Sequence, residues 1–171
     1  MRTGSSSTSR LADMTVILVG LVLTGVLFVR QGPSFFRDWQ HPDWFMRDIV
    51  MEESRTGIDF SVAPRTLVMA LQTDCQFCQE SMPFYRRLLE RDTSDVQIVV
   101  AAPSTDRGIG DYLASENVVP DSIVFVGPTS LPVSGTPTLL LADSEGLVTH
   151  LWFGQVAVES EAEVFDAVFG D

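Results

Sequence analysis

Apolar positions fall into two regimes along the chain, an unbroken run near the start and a patterned region from Arg55 onward in which the periodicity alternates. In the patterned region, Thr66 to Gln72 (TLVMALQ), Val96 to Ala101 (VQIVVA), Ser122 to Val126 (SIVFV), Thr138 to Ala142 (TLLLA) and Leu147 to Phe153 (LVTHLWF) read as strands. Helical spacing occupies the intervals Cys75 to Asp92, Ile109 to Glu116 and Ser160 to Phe169. In the last of these, Ser160 and Glu163 have the spacing of a capping box, and Ala162, Phe165, Val168 and Phe169 share one face. Strand, helix, strand, helix, strand, then a hairpin and a final helix predict an α/β sandwich. No internal repeat or long low-complexity tract interrupts it.

The unbroken run is MTVILVGLVLTGVLFV, 16 uncharged residues between Asp13 and Arg30. With Leu11 and Ala12 added and the flanking arginines snorkelling, it approaches the roughly 20 residues a bilayer requires. A cleaved signal peptide would end in small residues of the A-x-A kind, whereas this run ends Leu27-Phe28-Val29-Arg30. A buried core helix is disfavoured because every face is apolar. The expected organisation is therefore a cytoplasmic N-terminus over residues 1–10, a single transmembrane signal anchor over 11–29, a linker over 30–56 and a domain over 57–171. After the break at Gln31-Gly32-Pro33-Ser34, Phe35 to Ser54 reads as a helical linker interrupted at Pro42. Its Phe35, Phe36, Trp39, Trp44 and Phe45 suit an interfacial layer. Alternatively Phe45, Met46, Ile49 and Val50 form a helix face packed on the domain.

Charge supports the boundary and gives an orientation. Residues 1–30 carry three Arg against Asp13, whereas the rest carries 8 Arg against 22 acids, so the expected placement is a cytoplasmic (inner) membrane with the C-terminal domain periplasmic or extracytoplasmic. Over the full 171 residues the net charge is -12, 45% of residues are hydrophobic and 20% charged, which excludes a disordered tail and a basic nucleic-acid binder. Every basic residue is Arg, so lysine chemistry is excluded. Residues 108–171 hold ten acids and no Arg, a distribution that would steer a basic partner, solubility being the plain alternative.

The two cysteines stand as Cys75-Gln76-Phe77-Cys78, between a strand and a helix, the context in which C-x-x-C carries redox meaning. Unpaired N–H groups and the dipole at a helix start favour a thiolate on the first cysteine, and the second, one turn on, can close a disulfide with it. Asp74 as an N-cap would stabilise the helix, while its charge opposes a nearby thiolate. A purely structural disulfide across so short a step would stabilise little. Cys75, Cys78 and His150 could instead form a copper site, although a sheet-surface histidine accounts for His150. His41, beside Pro42, reads as a linker residue.

TLVMALQTDCQFCQESMPFYRRL resembles the active-site strand and helix of the thioredoxin-fold superfamily, and Met82-Pro83 stands where its membrane-anchored TlpA-like branch carries a helix-bending proline. Gly135-Thr136-Pro137-Thr138-Leu139-Leu140-Leu141 resembles that family's cis-proline loop and following strand, Ser144-Glu145-Gly146 its hairpin turn, and Gly154 the glycine facing the disulfide. The resemblance covers residues 57–171. It implies a thioredoxin-like three-layer sandwich with a mixed central sheet, and a protein thiol-disulfide oxidoreductase needing no cofactor or metal. Its substrates would be protein thiols or disulfides outside the cytoplasm.

By the same resemblance, Cys75 is the exposed nucleophile, Cys78 the buried resolving thiol, and Thr136 the residue whose backbone pairs with substrate beside a cis Pro137. Gln76, Phe77 and Gly154 complete the substrate-binding set, with Trp152-Phe153 adding an apolar patch. The chain departs from the family in having Asp74 where many members carry Trp, and Met69 where they carry a buried Asp. Proton transfer at Cys78 is left to water or a carboxylate such as Glu80. With no cation between the cysteines, Cys75 is expected nearer to a pKa of about 7 than to the value near 3.5 of strong oxidants. Gln72, where peroxiredoxins need Thr, speaks against peroxidase chemistry. TlpA-like relatives are mostly reductants, and the interval Val96 to Val126 leaves no room for the helical insertion of many oxidants, so reductase or disulfide exchange is expected. The alternatives are a non-catalytic thioredoxin-like assembly subunit of a membrane complex and a copper-site assembly factor resembling Sco-type chaperones, which use a wider cysteine spacing.

Overall fold

The computed structural model describes residues 49–170, apart from 92, 93 and 134. The expected anchor and most of the linker lie outside the described residues. Five strands form one sheet: β1 (Arg65–Ala70), β2 (Val96–Pro103), β3 (Ser122–Val126), β4 (Thr138–Asp143) and β5 (Val148–Phe153), in the order β3-β2-β1-β4-β5. β1, β2 and β3 are parallel, β4 pairs antiparallel with β1, and β5 pairs antiparallel with β4, so the sheet is mixed as expected. Val68 faces Val99 on one side and Leu140 on the other, in the middle of three strands covered on both faces. Burial on both faces makes these central strands continuous apolar runs, where alternation was expected.

Among the described residues four helices accompany the sheet: α1 (Glu53–Thr56), α2 (Gln76–Leu89), α3 (Ile109–Ser115) and α4 (Glu161–Phe169). The steps β1 to β2 and β2 to β3 run in the same direction across the sheet, and right-handed crossovers therefore bring α2 and α3 to one face. α2 buries Cys78, Met82, Tyr85 and Leu88, one stripe at helical spacing, against Leu67, Met69, Ile98, Val100, Leu139 and Leu141 of the sheet. Ile109 and Leu113 of α3 and Val164 and Val168 of α4 join the same core.

Two details of α4 differ from expectation. Ser160 makes no side-chain cap, because a 3-10 turn over Val158–Ser160 runs straight into the helix and already gives Ser160 helical dihedrals (φ -98°, ψ -7°). The buried stripe is centred on Val164 and Val168, with Phe165 and Phe169 partly buried beside it and Ala162 exposed.

The opposite face is closed by chain with little helix. Met51, Ile58 and Phe60 cover Val68, Val99, Ala101, Leu140, Ala142 and Val148, with Leu131 and Val133 alongside. At the start of this segment, where a helix was expected, Val50 is extended and bridges Leu147, while Met51 N donates to Gly146 O (2.8 Å) and Val148 N to Ile49 O (2.9 Å). The approach needs glycine at 146: its φ is +80°, and a Cβ there would lie 2.4 Å from the Met51 carbonyl oxygen. Arg55 of α1 donates to Thr129 O (2.5 Å), tying this cover to the loop after β3. Among the described residues no helix is long and apolar enough to cross a membrane.

Candidate active site

β1 ends at Ala70, and Leu71 N still donates to Ala101 O (3.1 Å), so the chain leaves the sheet centre beside β2 before turning into α2. Cys75 is the N-cap of that helix, one residue later than the expected Asp74: its backbone is extended (φ -115°, ψ 108°) and its Sγ accepts from Cys78 N (3.1 Å). A sulfur in this position takes the place of the Ser or Asp oxygen that ordinarily satisfies a free helix N–H. Cys75 and Cys78 are joined in a disulfide with a Cα–Cα separation of 5.1 Å.

The two sulfurs have different surroundings. Cys75 is 8% exposed and Cys78 0%, the latter set in a core with Met69, Met82, Tyr85 and Trp152. Only Cys75 reaches solvent, although less openly than an exposed nucleophile was expected to. Tyr85, in the same core, has its hydroxyl pushed up to about 12 by burial, opposed by the hydrogen bond with Ser81, so it stays neutral at working pH. Ser81 Oγ in turn donates to Phe77 O (2.7 Å), and Pro83 within α2 leaves the Gln79 carbonyl without its helical partner. Glu80 lies on the exposed side of α2, accepting from Gln76 Nε2 (2.8 Å). Two residues along a helix is about 200° of rotation, so the helix itself separates that carboxylate from Cys78.

The second element of the site is the loop before β4. The Thr136–Pro137 peptide is cis, and the Thr136 carbonyl oxygen lies 3.4 Å from Cys75 Sγ. Pro137 O accepts from Gly154 N (2.8 Å), with Gly154 in the left-handed region (φ +82°), so the residue after β5 is tied to the cis-proline. Cys75, Thr136, Pro137 and Gly154 are thus linked in one continuous chain of contacts. Phe77 (56% exposed) and Phe153 (67%) supply apolar surface, Phe153 lying against Gly135 so closely that a Cβ there would be 2.9 Å from its ring. Gln76 is exposed at the first turn of α2.

Thr138 was not singled out in the sequence, yet its buried hydroxyl donates to Gly135 O (2.8 Å) and closes the loop across the cis bond. A polar residue opening an otherwise apolar strand was the available signal. His150 stacks on Trp152 (ring centroids 5.5 Å apart), as a sheet-surface histidine. Among the described residues no group of three or more His, Cys, Asp or Glu is arranged to hold a metal ion.

No protein-family model matches the sequence, and no curated protein matches it significantly. Solved structures do match. A thiol-disulfide isomerase from Corynebacterium glutamicum aligns with a TM-score of 0.53 at 16% identity, covering 66% of this chain and 84% of that one. The thioredoxin domain of a thiol-disulfide oxidoreductase from Bacteroides vulgatus gives 0.52 at 15%, covering 64% and 82%. A thioredoxin-family thiol:disulfide interchange protein from Chlorobium tepidum gives 0.51 at 14%, covering 64% and 81%. The chain has the thioredoxin fold.

Proposed function

We propose that this thioredoxin-fold chain is a protein thiol-disulfide oxidoreductase, working as a reductase or in disulfide exchange. The observation that carries the reading is the disulfide at the start of α2, with Cys75 the less buried of the two cysteines and its Sγ beside the Thr136 backbone. In the dithiol form, the helix N–H that Cys75 Sγ accepts and the dipole of α2 favour its thiolate. That thiolate attacks one sulfur of a substrate disulfide; the substrate S–S bond breaks, its other sulfur leaves as a thiolate, and a mixed disulfide forms. Cys78, deprotonated in turn, attacks Cys75 Sγ and releases the second substrate thiol. Two electrons and two protons pass from the dithiol to the substrate, and an external thiol donor restores the dithiol. An extended substrate segment would pair with Thr136 while Phe77 and Phe153 hold apolar side chains on either side. The neighbouring structures named as isomerase, oxidoreductase and interchange protein support the assignment.

The decisive variants are those of the two sulfurs. Wild-type dithiol reduces a peptide disulfide, Cys75→Ser abolishes this, and Cys78→Ser accumulates a mixed disulfide through Cys75, read by mass spectrometry. A wild type inert towards test disulfides, with no adduct in Cys78→Ser, leaves the non-catalytic assembly-subunit reading in its place.

The proposal includes an uncleaved anchor over residues 11–29 with the domain outside the cytoplasm, supported by the charge-free run 14–29 and by the excess of Arg over acid in residues 1–30 against the acidic remainder. Native protein would keep its N-terminus and require detergent; a mature N-terminus near Gln31 would overturn the anchor.

A further inference from the structure

Outside the sulfurs and the cis-proline loop, the most heavily bonded residue near the disulfide is Thr73. Asp106, in the loop after β2, accepts from Thr73 N (2.6 Å) through one carboxylate oxygen and from Thr73 Oγ1 (2.8 Å) through the other. Gln79 Nε2, from the first turns of α2, donates to Thr73 O (3.2 Å). All three polar atoms of Thr73 are therefore held, two by the β2–α3 loop and one by α2, and a single residue, the exposed Asp74, separates it from Cys75. The clamp is itself anchored: Asp106 N donates to Pro103 O (2.9 Å), and the neighbouring Arg107 guanidinium lies over the Phe125 ring, 5.0 Å from its centroid.

Charge makes this arrangement informative. A carboxylate bonded to the residue two positions before a reactive thiol opposes ionisation of that thiol. Arg107, the basic residue beside it, is turned to Phe125, and both carboxylate oxygens are occupied by Thr73. Bonds from N–H and O–H to a carboxylate are among the stronger ones available to fix a loop. What Asp106 contributes is therefore geometry in spite of its charge.

We infer that Asp106 is a positioning residue, which acts through Thr73 to hold Cys75 at the N-cap of α2 with its sulfur on the Cys78 N–H. The inference rests on Cys75 being the attacking sulfur. With the clamp released, Cys75 spends less time at the helix N–H, its thiolate loses that stabilisation, and its thiol titrates higher. Removing the charge alone would do the opposite and lower it. The sign of the shift separates the two roles.

The experiment is the pH dependence of iodoacetamide alkylation of Cys75 in the reduced full chain, with the site identified by mass spectrometry. Asp106→Ala and Thr73→Val should each raise the midpoint by about half a pH unit, roughly a threefold loss of thiolate below the midpoint. Thr73→Ser, which keeps both donors, should restore the wild-type profile. Asp74, Glu80 and Arg107, the other charged groups near the turn, are present in every variant. A lowered midpoint in Asp106→Ala with Thr73→Val unchanged assigns Asp106 a charge effect and overturns the inference, as does no shift in either. Should Asp106→Ala fail to fold, Thr73→Val against Thr73→Ser decides alone. A wild type in which Cys75 does not react ahead of Cys78 defeats the attacking-sulfur reading and this inference together; a reactive Cys75 indifferent to the variants defeats only the inference.

Discussion

The two faces of the sheet are closed in different ways. On one, α2, α3 and α4 lay regular helical stripes over the strands and enclose Cys78, Met82, Tyr85 and Leu88. On the other, Met51, Ile58 and Phe60, from a segment with one short helix and one 3-10 turn, do the covering, held by hydrogen bonds to the β4–β5 turn. Both leave their sheet residues buried, so burial alone does not distinguish them. The difference is in how the cover is supported. The disulfide belongs to the helical face, where α2 fixes both cysteines and the rest of the helix is locked by its own hydrogen bonds. The other face depends on a few anchor points and contains neither cysteine.

The strongest way to break this comparison is to cut equal holes in both faces. Leu88→Ala should cost about 2–5 kcal/mol, towards the upper part of that range, because the helices around it cannot collapse into the space. Ile58→Ala should fall near or below the lower end, since its unsupported segment can settle inward. Leu88 is 0% exposed and Ile58 1%, so unequal burial cannot explain a difference. Urea unfolding midpoints measure both, and an equal cost would mean that the two covers are equally rigid.

Gly146→Ala attacks the irregular face at its anchor. A left-handed alanine whose Cβ meets the Met51 carbonyl should cost about 1–3 kcal/mol and release the Met51 and Val148 amides to hydrogen exchange. The β1 and β2 amides should keep their protection and Cys75 its alkylation rate; loss of either would tie the two faces together. The smallest effect concerns Asp59, held below its ordinary pKa by hydrogen bonds from the Ser61 side chain and then the Ser61 backbone N–H. A lowered folded-state pKa contributes stability above the ordinary carboxylate value, lost as pH falls through the lowered one. Ser61→Ala should move the Asp59 carboxyl titration, followed by NMR, upward towards 3.8 while leaving the helical face unperturbed.

The helical face was largely legible in the sequence, because its strands and helices are local patterns: all five strands and α2, α3 and α4 lie within a few residues of their expected positions. The cis-proline loop came from resemblance to a family; an X-Pro step by itself favours trans. What escaped notice lies in pairings between distant residues. Val50 meets Leu147 and Asp106 meets Thr73 with nothing periodic to announce either. The N-cap was misplaced by one residue because Asp74 has the ordinary capping chemistry, whereas the atom that accepts the helix N–H is the Cys75 sulfur. Ser160 carried the right residue type for a cap, but the preceding 3-10 turn removed the extended backbone a cap requires.

The Val50–Leu147 bridge also fixes where the chain enters the domain. Arg65, the first residue of β1, pairs with Asp143, just before the β4–β5 turn, whereas Cys75 follows the last residue of that strand. The entry point and the disulfide thus sit at opposite ends of the sheet, separated by at least the length of β1, roughly 20 Å at strand spacing. The domain thus offers its disulfide at the end away from Val50, as a tool offers its edge away from the handle.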